Sequence, residues 1–133
     1  MRKIKFRGKS IDSKEWLYGD LVSSVDKKRF AILVNDKESY DECEVDPKTV
    51  GQFSGLYDCN KKEIYEGDIL KWITGKMYVV KFWRGMFYAS VEEYNDGILG
   101  GFPLHAFTEF EEGKCEIVGN IYDDTEYLKG GKK

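Results

Sequence analysis

Strand-type runs recur along the whole chain, and nothing in it sustains a helical repeat. A surface helix needs apolar residues at i, i+3, i+4 and i+7, and no such run exceeds about ten residues. Ile4-Lys5-Phe6-Arg7 alternates apolar and charged residues. Trp16-Leu17-Tyr18-Gly19-Asp20-Leu21-Val22 is aromatic-rich and follows a turn-like Ile11-Asp12-Ser13-Lys14. Phe30-Ala31-Ile32-Leu33-Val34 is a short apolar run that stops at Asn35-Asp36. Lys76 to Trp83 is β-branched and aromatic, Arg84-Gly85 punctuates it, and Met86 to Val91 follows at hairpin distance. Cys115 to Tyr122 closes the series. Such runs between turn signals predict a mostly β chain with a small β-barrel or sandwich architecture rather than a βαβ fold.

Punctuation divides this pattern. Pro47 follows Val45-Asp46, and the residue before a proline avoids the helical region. A boundary there predicts an N-terminal β subdomain over residues 1–50 and a C-terminal β-barrel-like subdomain over residues 51–128. Residues 129–133, Lys-Gly-Gly-Lys-Lys, read as a disordered tail. One short helix is expected near Ala106 to Glu112, or as a turn over Asp123 to Leu128 capped by Asp123 or Asp124.

At 133 residues the chain has the size of one domain or of two small lobes. It buries roughly two-thirds of its unfolded surface and needs neither metal nor disulfide to fold. Cys43, Cys59 and Cys115 are an odd, widely spaced set, which predicts three reduced thiols in a cytoplasm. With His105 as the single histidine, the ligand count speaks against a metal site. No cofactor is implied. The longest uncharged stretch, Gly97 to Thr108, is too short to span a bilayer. The opening Met1-Arg2-Lys3-Ile4-Lys5 has no apolar run after it and is not expected to be a signal peptide.

The net charge of −3 hides an alternation. Residues 1–30 sum to +5, 31–68 to −6, 69–88 to +4, 89–128 to −9 and 129–133 to +3. Opposite charges on paired strands explain such blocks. The block 69–88 is acid-free and interleaves Lys71, Lys76, Lys81 and Arg84 with Trp72, Tyr78, Phe82 and Trp83. Basic groups track phosphates while aromatic rings stack bases, so Lys71, Trp72, Lys76, Tyr78, Lys81, Trp83 and Arg84 are the candidate single-stranded nucleic-acid residues.

Catalytic constellations are scarce. His105 lies among apolar residues and reads as a half-buried, hydrogen-bonded group. The sequence has no G-x-S-x-G elbow and no phosphate-cradling glycine loop. Gly97-Ile98-Leu99-Gly100-Gly101 reads as a mobile loop or turn. Asp36, Glu38, Asp41, Glu42, Glu44 and Asp46 lack the glycine of a calcium loop and read as a solvated acidic segment.

The most specific stretch runs from Thr49 to Leu70 and contains Gly55-Leu56-Tyr57-Asp58-Cys59-Asn60-Lys61-Lys62-Glu63-Ile64-Tyr65-Glu66-Gly67-Asp68. It resembles the signature of the YopX family of bacteriophage and prophage proteins. Lys3 to Arg7, Trp16 to Leu21 and Glu116 to Tyr122, with Leu128 beyond, resemble its other blocks in order. Asp58 to Lys61 reads as a hairpin turn, with Asp58 bonding its own backbone and Asn60 tolerating the left-handed region. The family usually has glycine where Lys61 stands. Glu66-Gly67-Asp68 feeding Ile69 to Trp72 is also typical of SH3-like barrels, which are expected in the C-terminal part. The resemblance implies a mostly β fold, a phage or prophage origin and a bacterial cytoplasm. It brings no established activity and no catalytic residues.

Three functional readings follow from these residues. The first is a non-enzymatic module that binds a host or phage protein or assembles with itself as a homo-oligomer. The second is nucleic-acid binding on the basic aromatic segment. The third is an enzyme of unknown type, for which no motif speaks. No reading involves a membrane.

Overall fold

A computed structural model describes residues 2–35, 40–91, 101–109 and 115–124. Among the described residues eleven strands form: β1 Phe6–Lys9, β2 Trp16–Ser23, β3 Phe30–Asn35, β4 Tyr40–Val45, β5 Gly51–Tyr57, β6 Glu63–Tyr65, β7 Asp68–Trp72, β8 Met77–Trp83, β9 Met86–Val91, β10 Phe102–Pro103 and β11 Cys115–Asn120. One helix, α1, spans Leu104–Glu109. The two sheets have the orders β4-β3-β2-β1-β5-β6 and β10-β9-β8-β7-β11. Backbone contacts divide the chain into two compact units, Met1–Phe53 and Ser54–Lys133. The tail at 129–133, the loop from Gly97 to Gly100, Asp36, Glu38 and the turn beyond Asp124 lie outside the described residues.

In the first unit, β1 to β4 form an antiparallel meander, and the start of β5 joins β1 through Phe6↔Gln52 and Arg7↔Gly51. A Ser10↔Val45 bridge brings the end of β4 back to the chain after β1. Ile11 N–H donates to Glu44 O at 3.1 Å, and Asp46 N–H to Lys9 O at 2.9 Å. Ile32 and Val45 are fully buried at the heart of this unit. Gly19 has a steric reason: a Cβ there would stand 2.1 Å from the Leu33 carbonyl oxygen, so any side chain would push β2 off β3. Pro47 opens one 3-10 turn, Pro47–Thr49, with Asp46 accepting from Lys48 N–H at 3.0 Å as its cap.

The edge strand β4 carries exposed Asp41, Glu42 and Glu44. Its outer edge is bonded at Glu44 to Ile11 N–H, and charge along the rest discourages a second chain from adding to it. That is the structural use of the described part of the acidic segment.

In the second unit, Ile64, Leu70, Tyr78, Val80, Ala89, Leu104 and Cys115 form the buried cluster, with Leu56, Trp72, Phe87 and Ile117 packed against it. Alternation along β8 explains the choice: Tyr78 and Val80 share one face with the paired Leu70 and Ala89. The sheet order ends at β10 and β11, so it is open among the described residues. The expected helix is present as α1, two residues earlier in start than read from the sequence, because Leu104 supplies its core anchor. His105, the next residue, is exposed rather than half-buried, since Leu104 takes the inward position. No helix among the described residues is long and apolar enough to cross a membrane.

Candidate functional site

The acid-free block of the sequence becomes the β7–β8 and β8–β9 hairpins. Trp83 pairs with Met86, which leaves Arg84 and Gly85 as a two-residue connection. Both have positive φ, 49° at Arg84 and 81° at Gly85, the geometry that matches the twist of the strands it joins. Glycine adopts this freely, but an L residue in the left-handed region costs about 1 kcal/mol. The Arg84 guanidinium lies over the Trp83 ring, 4.7 Å from its centroid, which offsets part of that cost.

The tip therefore displays large side chains on both faces. On one, Phe82 meets Phe87 edge-on with centroids 4.9 Å apart. On the other, Trp83 meets Tyr88 edge-on at 6.1 Å. Phe82, Trp83 and Met86 stay 48%, 36% and 41% exposed. At the root of the hairpin is an open cleft of about 330 Å³, lined by Glu66, Gly67, Lys81, Trp83, Ile121 and Tyr122 among others. Its wall is fixed by Gly67 N–H donating to Val80 O at 2.8 Å and Ile121 N–H to Gly67 O at 2.9 Å.

The seven candidate residues do not form one surface. Tyr78 is 7% exposed and sits in the core, so it offers no ring face to a base. Trp72 packs against the same core. Lys71 and Lys76 are exposed near the β7–β8 turn, with Lys76 Nζ 6.0 Å from the Tyr78 ring. Lys81 is half-buried, and only Trp83 and Arg84 are at the tip. Lys76 and Arg84 stand at opposite ends of β8, roughly 25 Å apart at 3.3 Å per residue. The sequence reading took the four basic residues of the block and three of its aromatic ones, and the fold turns two of those seven, Trp72 and Tyr78, toward the core. Phe82, inside the block, and Met86 were left out of the set. The Arg84-Gly85 turn signal was enough to place both at a hairpin tip.

The Thr49–Leu70 stretch does something different: it holds the second unit together. Asp58 is 6% exposed, and its carboxylate accepts three backbone hydrogen bonds. Oδ1 takes Asn60 N–H at 2.8 Å and Lys62 N–H at 2.9 Å, and Oδ2 takes Ile117 N–H on β11 at 2.9 Å. Cys59 N–H donates to Cys115 O at 3.0 Å beside it. The turn thus occupies the outer edge of β11. Ten residues on, Asp68 Oδ2 accepts Tyr65 N–H at 2.7 Å and closes the Glu66-Gly67 turn. These residues coincide with the signature read from the sequence, and the chain matches the YopX protein family over residues 5–129. It is a member of the YopX family.

The left-handed residue of this turn differs from the one read from the sequence. Lys61 has φ 63°, so this position, and not Asn60, takes the left-handed conformation. Among solved structures, the chain is similar to protein EF1440 from Enterococcus faecalis, with a TM-score of 0.57 and 20% identity, over 96% of this chain and 99% of that one. That likeness is one of fold. No curated protein matches.

Proposed function

We propose that this YopX-family chain is a non-enzymatic protein-binding module whose contact surface is the β8–β9 tip. The partner presents acidic groups around an apolar socket. The observation that supports this is the exposed set Phe82, Trp83, Arg84 and Met86 at the two-residue turn of the β8–β9 hairpin. Aromatic residues, Met and Arg are the types enriched at protein interfaces, and Trp and Arg are frequent hot spots. Arg84 is the basic residue at the tip, and it sets the sign of the partner's charge.

A protein partner fits better than single-stranded nucleic acid. Base stacking needs a free ring face, and one Trp83 face is already covered by Arg84. It also fits better than edge-to-edge self-assembly, because β4 carries carboxylates and the β11 edge is taken by the Asp58 turn. A phage or prophage setting in a bacterial cytoplasm belongs to the same proposal.

Co-purification of tagged protein from its own host tests the reading. Trp83→Ala with Arg84→Glu is expected to lose a partner that Ile73→Ser, an exposed change at the β7–β8 turn, retains. A partner set indifferent to the tip overturns the reading. A salt-sensitive oligonucleotide shift abolished by Trp83→Ala would favour nucleic acid instead, and a concentration-dependent oligomer lost with Trp83→Ala would favour self-assembly.

A further inference from the structure

We propose that Cys59 and Cys115 are a disulfide-forming pair that closes under peroxide and clasps the β5–β6 turn to β11. Both are free thiols in the structure. Three contacts align the turn with the strand. Cys59 N–H donates to Cys115 O at 3.0 Å, Asp58 Oδ2 accepts Ile117 N–H at 2.9 Å, and Asn60 Nδ2 donates to Glu116 Oε2 at 3.4 Å. A direct backbone hydrogen bond puts the two Cα atoms about 5–6 Å apart, inside the range a disulfide spans. The pair is asymmetric: Cys59 is exposed and Cys115 is 3% exposed. Cys59 meets the oxidant, and Cys115 is shielded from it.

The chemistry balances with hydrogen peroxide as the oxidant. The Cys59 thiolate attacks one peroxide oxygen, the O–O bond breaks and hydroxide leaves, giving a sulfenic acid. The Cys115 thiolate then attacks the Cys59 sulfur, the S–O bond breaks and hydroxide leaves again. Two thiols lose two electrons and two protons, and one peroxide becomes two waters. Burial, and then the Asp58 carboxylate and Cys59, push the Cys115 thiol up to about 11. Burial, Asp58 and Glu116 raise Cys59 as well. Both steps are therefore slow at neutral pH and speed up as pH rises.

The full-length protein is treated with hydrogen peroxide, alkylated, digested and analysed by mass spectrometry. The expected product is one Cys59–Cys115 linked peptide pair, two hydrogens lighter than the free peptides and reversed by dithiothreitol, while Cys43 is alkylated. Cys59→Ser, a surface change, abolishes the link and leaves Cys115 as a thiol. Cys59 recovered only as sulfinic or sulfonic acid, or joined to a second chain while Cys115 stays reduced, overturns the proposal.

Discussion

Replacing Asp58 with alanine removes an acceptor shared by three backbone amides. Two of these, Asn60 N–H and Lys62 N–H, belong to exposed turn residues that water can reach, so each loses about 0.5–1 kcal/mol. The third, Ile117 N–H, bonds a carboxylate across 59 residues of sequence, and hydrogen bonds to a charged group contribute about 1.5–3 kcal/mol. The sum is about 2.5–5 kcal/mol, a large share of the roughly 5–15 kcal/mol that holds a domain together. Asp58→Asn keeps one carbonyl acceptor and turns an N–H₂ toward the other donors, so about half of that loss is expected. Urea unfolding followed by tryptophan fluorescence gives both values. Amide hydrogen exchange adds a local readout: Ile117 N–H should exchange faster in Asp58→Ala by more than Val79 N–H does. A loss under about 1 kcal/mol, or equal acceleration at both amides, refutes the claim that Asp58 fastens the turn to β11.

Gly19→Ala places a methyl 2.1 Å from the Leu33 carbonyl oxygen, so a loss above about 3 kcal/mol is expected, seen as an insoluble or thermally weakened protein. Lys61→Gly relieves a left-handed lysine worth about 1 kcal/mol and adds unfolded-chain entropy worth somewhat less, so a small gain of about 0.5 kcal/mol is expected by urea unfolding. The Cys115 thiol stays protonated in the fold up to about 11, whereas the unfolded chain ionises near 9.0. The stability that this thiol contributes is full below that lower value and falls as pH rises through the interval; Cys115→Ala, though weaker overall, should show a shallower alkaline slope.

The strands were legible because alternation and turn residues report local geometry. Phe30 to Val34 became β3, Lys76 to Trp83 became β8 from Met77 on, and Cys115 to Tyr122 became β11 as far as Asn120. The family stretch was legible as a signature, but its physical role was only half so. A turn bonded by Asp58 follows from Asp and Asn at short spacing. Its bond to Ile117 joins residues far apart in sequence, and no local pattern encodes that. The candidate site shows the same limit. Composition found the basic aromatic block, yet pairing register decides which side chains point outward. Tyr78 and Val80 went to the core with Leu70 and Ala89, while Phe82 and Trp83 emerged only because the sheet ends at the Arg84-Gly85 turn. His105 reads as half-buried from its apolar neighbours, and one residue of helical rotation exposes it.

The proposed partner sits on the β8–β9 tip. A photo-crosslinking residue placed at Met86, and separately at Ile73 as an exposed site on the β7–β8 turn, tests this in the native host. A discrete crosslinked protein is expected from position 86, lost with Arg84→Glu, and none from position 73. Equal crosslinking from both positions, or a product from 73 alone, contradicts it.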